Sequence, residues 1–552
     1  MRPKLLLLAI VATLLFTCFE AYAQSYAITN AKIVTVSGPT IDKGTIVIRG
    51  GLIESVGPSV SIPADATVFD ASGLTVYPGF IDALTNLGLA APASPAAGGR
   101  QGGAPTTTAT AASTPGSNSN YPAGLRPEES AFDELRPGEA QFENARNAGF
   151  TTVLTVGRTG IFNGRSVVIN LAGENVSQMA VRLPFAEHVT FTTLGGAGYP
   201  NSLLGTFSAL RQMLYDARRI ADWDKKYEAD PKGMKRPEAD RSLYALIPVV
   251  EGSRPIVFNA NSEREIVRSL DLIKEFDLKG IIAGGLEAWK VADRLKAQNV
   301  SVLLSLNFPK RTTAASAEAD PEPLETLRLR AETPKGPARL SAAGVKFAFQ
   351  SGGLASLGDF FANAGKAVDA GLSREAAIRA MTLGSAEILG VSNRLGSIEA
   401  GKIADLTLVK GDLFGRDRFA PQIIIDGKIF EQKEPQRGGG SGRGQTGTSN
   451  PVSLNLSGTY SISIEIPGST IAGNINFTHT GSVLTGTFST QSGNAQIRDG
   501  RVAGSAFSFT AVVPYEGQNI DITVRGSVTG GQISGTIDSS QGSVPFSGSK
   551  TP

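Results

Sequence analysis

Histidine is nearly absent from this chain, which has two, His188 and His479, in 552 residues. Imidazole is the commonest metal ligand in proteins, so the sequence has little material for a catalytic zinc site. Cysteine is scarcer still, and the one residue, Cys18, lies in the N-terminal apolar segment. The rest of the chain can therefore form no disulfide and no thiolate site, and a Ser-His-Asp triad has almost no histidine to draw on.

A surplus of charge of one sign is also lacking. Lys and Arg total 52 against 50 for Asp and Glu, so no net field draws the chain to nucleic acid or to an acidic membrane surface. Hydrophobic residues make up 41% and charged residues 18%, as in ordinary globular proteins. This length predicts about two to four domains, and the 64 glycines indicate many tight turns and an all-β part.

The N-terminus has the pattern of a secretory signal peptide. Arg2 and Lys4 precede an apolar run over residues 5–16, and a small-residue cleavage site ends at Ala23. We expect residues 1–23 to be removed and the protein to be exported, to the periplasm or the extracellular space. The apolar run is too short to remain as an anchor, so no membrane span is predicted.

Two distant parts of the chain share a strand-like pattern. The runs of alternating apolar residues are 27–34, 44–49, 52–57, 403–409 and 422–429. Between the second and third runs, Gly50-Gly51 is a hairpin signal because glycine accepts positive φ at both turn positions. Residues 24–76 and 395–432 are therefore predicted to form β structure.

Residues 77–394 alternate helical and strand-like runs. Residues 140–149, for example, are predicted to be a helix that ends at Gly149, with a strand over 151–156. Apolar strands separated by amphipathic helices predict a parallel sheet covered by helices, of the (β/α)8 type. Residues 90–124 are rich in Ala, Gly, Pro, Ser and Thr and are predicted to be a loop. This loop is either a tolerated insertion or an active-site lid, since it follows the first predicted barrel strand.

The pattern changes twice after residue 432. Residues 433–450 are rich in glycine and are predicted to be a flexible linker. Residues 451–552 hold short alternating strands punctuated by glycine, without a helix signal, which predicts an antiparallel barrel or sandwich. No aromatic cluster is visible in this stretch, so we expect a stability or attachment module more than a binder of glycans or other ligands.

The stretch 78–82, Pro-Gly-Phe-Ile-Asp, resembles the opening of the metal-dependent barrel of the amidohydrolase superfamily. Residues 395–406 are similar to the return segment of that family, and 287–292 resemble its imidazolonepropionase-like secreted bacterial branch. The resemblance covers about residues 26–431. It implies a (β/α)8 TIM-like barrel with a composite β-sandwich built from both flanking segments, and a hydrolase that acts on C–N bonds with zinc or another divalent metal.

The positions at which that family carries its metal ligands hold other residues here. The matched positions are Leu84, Asn86, Asn259, Gly284 and Gly352. Leu84 and Asn86 replace a His-x-His pair, and Gly352 replaces the aspartate that serves the family as metal ligand and general base. Neutral amides are poor substitutes for imidazole and carboxylate at a zinc site. The resemblance thus implies a degenerate metal site, and we expect no cofactor.

The candidate pocket residues are Asp82, Asn86, Asn259 and Ser351, with no metal ligand. His188 is expected to be a structural or surface residue, and His479 a solvent-facing strand residue, since one imidazole cannot form a zinc site. A rescue of metal binding by isolated carboxylates, such as Asp82 with Glu187, stays open.

Two classes of function remain open. The first is an amidohydrolase-like pseudoenzyme, without its metal site, that binds a small molecule or a partner without catalysis. The second is a hydrolase that cleaves C–N bonds of small amides or dipeptides, as the resemblance implies. The missing ligands favour the first class, because a fold alone does not determine a function. The sequence gives no oligomeric state.

Overall fold

A computed structural model describes residues 25–89, 121, 124–138, 140–193, 199–310, 322–354, 356–432, 456–466, 469–480, 483–490, 493–503, 506–515, 518–529, 532–539 and 542–551. The predicted signal peptide, most of the predicted 90–124 loop and the predicted linker 433–450 lie outside these ranges. The chain divides into two compact units, Met1–Gln436 and Arg437–Pro552. The first is mixed α/β and the second is all-β, as the sequence predicts.

The strands of the first unit are β1 (Ser25–Ile33), β2 (Ile41–Arg49), β3 (Leu52–Gly57), β4 (Thr67–Asp70), β5 (Thr75–Pro78), β6 (Phe80–Thr85), β7 (Phe150–Thr155), β8 (Phe162–Arg165), β9 (Val167–Asn170), β10 (Ala180–Arg182), β11 (Glu187–Thr190), β12 (Ile256–Ala260), β13 (Gly280–Gly284), β14 (Ser301–Ser305), β15 (Phe347–Gln350), β16 (Leu406–Lys410), β17 (Phe419–Ile425) and β18 (Lys428–Glu431). Its helices are α1 (Ala131–Glu134), α2 (Ala140–Ala148), α3 (Val176–Met179), α4 (Leu203–Ala229), α5 (Arg241–Val250), α6 (Glu263–Phe276), α7 (Ala292–Ala297), α8 (Leu324–Glu332), α9 (Gly336–Ala342), α10 (Gly358–Asp369), α11 (Arg374–Ala380) and α12 (Leu383–Ile388), with 3-10 turns at Ala288–Val291 and Thr333–Lys335. The second unit has β19 (Gly458–Ile466), β20 (Ser469–Thr480), β21 (Val483–Thr490), β22 (Gly493–Gln496), β23 (Arg498–Ala503), β24 (Ala506–Tyr515), β25 (Gln518–Thr529), β26 (Gln532–Ser539) and β27 (Gly542–Lys550).

One sheet of the first unit joins strands from two distant parts of the chain. Its order is β18-β17-β16-β5-β1-β2-β3, with β4 paired to β1. Strands of the two parts pair antiparallel at β5 and β16, where Tyr77 lies opposite Thr407. The predicted hairpin is present between β2 and β3, where Gly50 and Gly51 have φ of 58° and 79°. Their positive φ values explain why both turn residues are glycine.

Two further sheets carry the strands of the central part. One has the order β10-β9-β7-β6 and the other β15-β14-β13-β12-β11-β8. Strands β11 to β15 pair in parallel in sequence order, and β6 pairs in parallel with β7. Their apolar side chains are buried on both faces, as the continuous apolar runs predict.

The sequence predicts a parallel sheet, and this prediction is wrong for two strands, β8 and β9. Strand β9 pairs antiparallel with β7, and β8 pairs antiparallel with β11. The connection from Thr155 to Phe162 is short, whereas a parallel crossover needs about a dozen residues or more, so the chain returns antiparallel. Because Ser166 alone separates β8 from β9, this stretch of chain belongs to both sheets.

The helices cover the sheets with one apolar face. Helix α6 begins at a capping box. The Ser262 side chain accepts a hydrogen bond from Glu265 N, and the Glu265 side chain accepts one from Ser262 N. Of the helices within the described ranges, none is long and apolar enough to cross a membrane.

The second unit is a closed antiparallel sheet. Each strand from β23 to β27 pairs with the next, β27 pairs with β19, β19 with β20, β20 with β21, and β21 with β23. Its interior holds an aromatic cluster of Tyr460, Phe477, Phe488, Phe507 and Phe509. The prediction that this region lacks an aromatic cluster is therefore wrong. The five rings come from four strands, so the cluster exists only after the sheet closes.

We predict that residues 451–552 fold without the rest of the chain, because their apolar core contains side chains of this unit alone. The isolated fragment is expected to show β-type circular dichroism and one cooperative unfolding transition in denaturant. Removal of the central ring in a Phe477→Ala variant is expected to destabilise it by about 3–5 kcal/mol. A fragment with random-coil dichroism would contradict this prediction.

Candidate functional site

The carboxyl ends of the central strands surround a cavity of about 360 Å³, which we call the strand-end cavity. Its lining residues are Leu84, Thr85, Asn86, Val156, Gly157, Arg158, Asn163, His188, Thr190, Asn259, Asn261, Gly284, Leu286, Ser305, Asn307, Gln350, Gly352 and Gly353. They come from strands β6, β7, β8 and β11 to β15 or from the residues just after them. Ligands and active sites of parallel α/β folds lie at this end of the strands.

Three amide side chains of the lining are engaged in hydrogen bonds within the protein. Asn86 Nδ2 donates to Val156 O at 2.7 Å and so ties the end of β6 to the end of β7. Asn163 Oδ1 accepts from Thr190 Oγ1 at 2.6 Å. Gln350 Oε1 accepts from Gly352 N at 2.8 Å. These bonds use part of the hydrogen-bonding capacity of each amide and fix the shape of the cavity.

Three other amides are differently placed. Within the described residues, the side chains of Asn259, Asn261 and Asn307 have no hydrogen-bond partner, and all three are exposed at the cavity. Asn259 is in β12, Asn261 follows that strand, and Asn307 follows β14. Each amide offers one acceptor oxygen and two N–H donors. These side chains are therefore available to a bound molecule.

His188 lies on β11 and lines the same cavity with 4% of its surface exposed. Its Nε2 is 2.8 Å from Ser166 Oγ, and that hydroxyl donates to Ala186 O at 3.3 Å. The hydroxyl oxygen is thus left to accept from Nε2–H, which assigns the tautomer with an unprotonated Nδ1. Burial lowers the pKa of His188 to about 3, so the imidazole is neutral at physiological pH.

Asp82 and Ser351 form a contact one layer below the cavity. Ser351 N donates to Asp82 Oδ1 at 2.8 Å, and the Ser351 hydroxyl donates to Asp82 Oδ2. Leu84 N also donates to Asp82 Oδ1, at 3.3 Å. Burial raises the pKa of Asp82 to about 6, although these hydrogen bonds oppose that shift. The contact joins β6 to the end of β15, which belong to different sheets.

The structure divides the four candidate residues into two groups. Asn86 and Asn259 line the cavity, whereas Asp82 and Ser351 bond to each other beneath it. Sequence reasoning missed His188 as a lining residue, and it missed Asn261 and Asn307 altogether. The signal that could have found the two amides is their position just after predicted strands.

Glu187 precedes His188 and is fully buried, with neither carboxylate oxygen bonded to any described group. Burial raises its pKa well above the ordinary value, and the positive charges of Arg254 and Arg165 oppose this only in part. Glu187 is not among the residues that line the strand-end cavity. Its carboxyl group is therefore a poor partner for Asp82 in a metal site at that cavity.

The residues present do not fit the divalent metal that the fold resemblance implies. The side chain at position 84 is aliphatic and the amide of Asn86 is engaged by Val156 O. A Cβ at Gly284 would overlap Asn261 Oδ1, and one at Gly352 would overlap Gln350 Oε1, so no side-chain ligand fits there without rearrangement. Across the described ranges, no cluster of three His, Cys, Asp or Glu side chains could hold a metal ion. We therefore derive no chemical step through a metal.

We predict that Asp82→Asn flattens the pH dependence of stability. The folded state binds a proton at Asp82 that the unfolded chain, with an ordinary pKa near 3.8, has released, so stability falls as the pH rises from about 4 to about 6. Asparagine can keep the two N–H bonds and donate to the Ser351 hydroxyl. The variant is expected to lose on the order of 3 kcal/mol of this pH-dependent change.

The measurement is the free energy of unfolding in denaturant at pH 4, 5, 6 and 7. Asp405, whose pKa burial raises to about 7, titrates in both proteins, so the difference between them isolates Asp82. Asp369→Asn, at an exposed position, is the matched control and is expected to keep the parental slope. Equal slopes in Asp82→Asn and the parent would show that Asp82 does not titrate in this range.

Comparison with known proteins finds similarity to amidohydrolases in sequence and in fold. Residues 290–437 match the sequence model of the amidohydrolase family. The chain is similar to the crystal structure of an amidohydrolase from Thermotoga maritima MSB8, with 24% identity and a TM-score of 0.59 over 74% of this chain and 100% of that one. No curated protein matches the chain in sequence.

Two weaker structural matches have TM-scores below 0.5. One is a Xaa-Pro dipeptidase, with 18% identity and a TM-score of 0.45 over 74% of this chain and 100% of that one. The other is a putative prolidase from Bifidobacterium longum, with 18% identity and a TM-score of 0.43 over 75% and 97%. The resemblance to amidohydrolases is thus confirmed: residues 290–437 carry the amidohydrolase sequence pattern, and the chain shares its fold with the amidohydrolase from Thermotoga maritima.

Proposed function

We propose that this chain is an amidohydrolase-like protein that has lost its metal site and binds a small polar molecule in the strand-end cavity. One observation carries the proposal: Asn259, Asn261 and Asn307 present unused amides to the cavity, while Leu84 and Gly352 stand at positions where the family holds metal. A site built to hold a zinc-bound water would need imidazole or carboxylate at those positions.

The cavity suits this role in size and chemistry. Its volume of about 360 Å³ is at the lower end of the range for small-molecule sites. The bonds of Asn86, Asn163 and Gln350 hold the walls in place before a ligand arrives. Such preorganisation reduces the ordering cost of binding.

The proposal extends to architecture and location. The two central sheets form one (β/α)8-like barrel, since the Asp82–Ser351 contact and the shared stretch of β8 and β9 link them on both sides. The flanking strands form the composite β-sandwich beside it. Export to the periplasm or the extracellular space is proposed from the sequence of residues 1–23 alone.

We predict that the unused amides contribute to binding. A thermal-shift screen of sugars, hydroxy acids, small amides and dipeptides against the chelator-treated protein is expected to give ligands with micromolar to millimolar affinity. Asn259→Ala and Asn307→Ala are each expected to weaken the best ligand about 2- to 10-fold, the loss of one neutral hydrogen bond. Asn147→Ala, at an exposed position of α2, is the control. Unchanged affinity in both cavity variants would place the ligand elsewhere.

The second candidate function is hydrolysis of C–N bonds in small amides or dipeptides. The observation that favours it is His188, a neutral imidazole in the cavity whose Nδ1 is an acceptor. A positioned imidazole is the commonest general base in enzymes. The hydroxyls of Thr85, Thr190 and Ser305 also line the cavity, but the described hydrogen bond of His188 goes to Ser166 and to none of these three.

We predict that the protein, purified without dialysis, contains far less than one equivalent of zinc, manganese or iron. Amide and dipeptide hydrolysis is expected to be at background before and after chelator treatment. Elemental analysis and a substrate panel are the measurements. Near-stoichiometric metal together with chelator-sensitive turnover would contradict this prediction and identify the protein as a metal-dependent hydrolase. Chelator-insensitive turnover that disappears in His188→Gln would establish the second candidate.

A further inference from the structure

We propose that the ligand of the strand-end cavity is a small carboxylic acid that bears several hydroxyl groups, held by its carboxylate at Arg158 and by its hydroxyls at Asn259, Asn261 and Asn307. This inference rests on the proposed function and names the class of molecule that the same site selects. Three properties of the described lining carry it: the sign of its charge, the absence of a carboxylate that would pair with an ammonium group, and the type of its polar groups.

The charge of the lining is positive. Arg158 is the one Lys, Arg, Asp or Glu side chain among the lining residues that the structure describes. Its Nη2 donates to Asn86 O at 3.1 Å, which holds the guanidinium at the end of β7 and leaves its other N–H groups available. A guanidinium matches a carboxylate with two parallel hydrogen bonds, each stronger than a neutral one. An anionic ligand is therefore favoured over a neutral one of the same shape.

Among the described lining residues there is no carboxylate to pair with an ammonium group. The nearest acid on β6, Asp82, lies below the cavity, and its oxygens accept from Ser351 and Leu84. An ammonium placed among amides next to Arg158 would meet a like charge and no carboxylate within the described lining. Free amino acids and dipeptides, which carry such a group, are consequently disfavoured.

The remaining polar groups suit hydroxyls. A hydroxyl is both donor and acceptor, and an amide side chain presents both kinds of group side by side. The three unused amides belong to the ends of β12 and β14, and His188 on β11 also lines the cavity. No described lining residue has a phenyl, phenol or indole ring, so flat apolar ligands lack a stacking surface.

The positions of these groups fit one molecule. Arg158 follows β7 of the four-stranded sheet, whereas the unused amides follow strands of the six-stranded sheet. A ligand between the two sheets is held from both sides, with its carboxylate toward Arg158 and its hydroxyls toward the amides. An acyclic hydroxy acid can adapt its chain to this arrangement.

The test compares three molecules that share one polyol chain and differ in charge: gluconate, sorbitol and glucamine. Isothermal titration of the full chain at pH 7 is expected to rank gluconate first, at least about tenfold tighter than sorbitol, with glucamine weakest. Arg158→Met is expected to reduce gluconate to the affinity of sorbitol and to leave sorbitol itself unchanged. Arg264→Met, at an exposed position of α6, is the matched control and is expected to leave the ranking intact.

Each contrary outcome has a distinct meaning. Equal affinities for gluconate and sorbitol, or a preference for glucamine or glycylglycine, with loss of binding in Asn259→Ala, would overturn the carboxylate inference and leave the proposed function standing. Gluconate binding that is unaffected by Arg158→Met would also overturn it. A failure of every polar probe to bind, in a protein that retains its circular dichroism, would remove the proposed function itself.

Discussion

The contact between Asp82 and Ser351 is the constraint on which the arrangement of the first unit depends. A carboxylate with 1% of its surface exposed accepts from two backbone N–H groups and one hydroxyl, and these donors come from both ends of the barrel region. The contact links the edges of the two central sheets at β6 and β15. The floor of the strand-end cavity is set by this bond, because Leu84 and Gly352 flank its two partners.

A second buried acid plays the same part between the central strands and the flanking sheet. Asp405 Oδ1 accepts from Asp426 N at 2.7 Å, and Asp405 Oδ2 accepts from Thr152 Oγ1 at 3.3 Å. The carbonyl of Asp405 accepts from Gly79 N at 2.7 Å. Burial raises the pKa of Asp405 to about 7, which is the cost of placing a carboxyl at a junction of three segments. Both acids thus accept hydrogen bonds that join separate segments of the fold.

The same division between structure and binding applies to the amides. Asn86 Nδ2 donates to Val156 O and so holds two strand ends together. The side chain of Asn259, by contrast, is exposed at the cavity. An amide is a weaker metal ligand than an imidazole but still offers hydrogen-bond donors and an acceptor. The amides of the cavity can therefore bind polar groups.

The sequence by itself determined the features that depend on neighbouring residues: the Gly50-Gly51 hairpin, the end of helix α2 before Gly149 and the alternation of strands and helices. It also predicted both mixed α/β and all-β regions, since apolar periodicity is a local property. Only the tertiary structure decided which residues share the cavity. Asn261, Asn307 and His188 lie far apart in the chain and meet because the carboxyl ends of parallel strands converge. The sequence also did not reveal the aromatic cluster of the second unit. Its rings come together only when the closed sheet places alternate side chains in its interior.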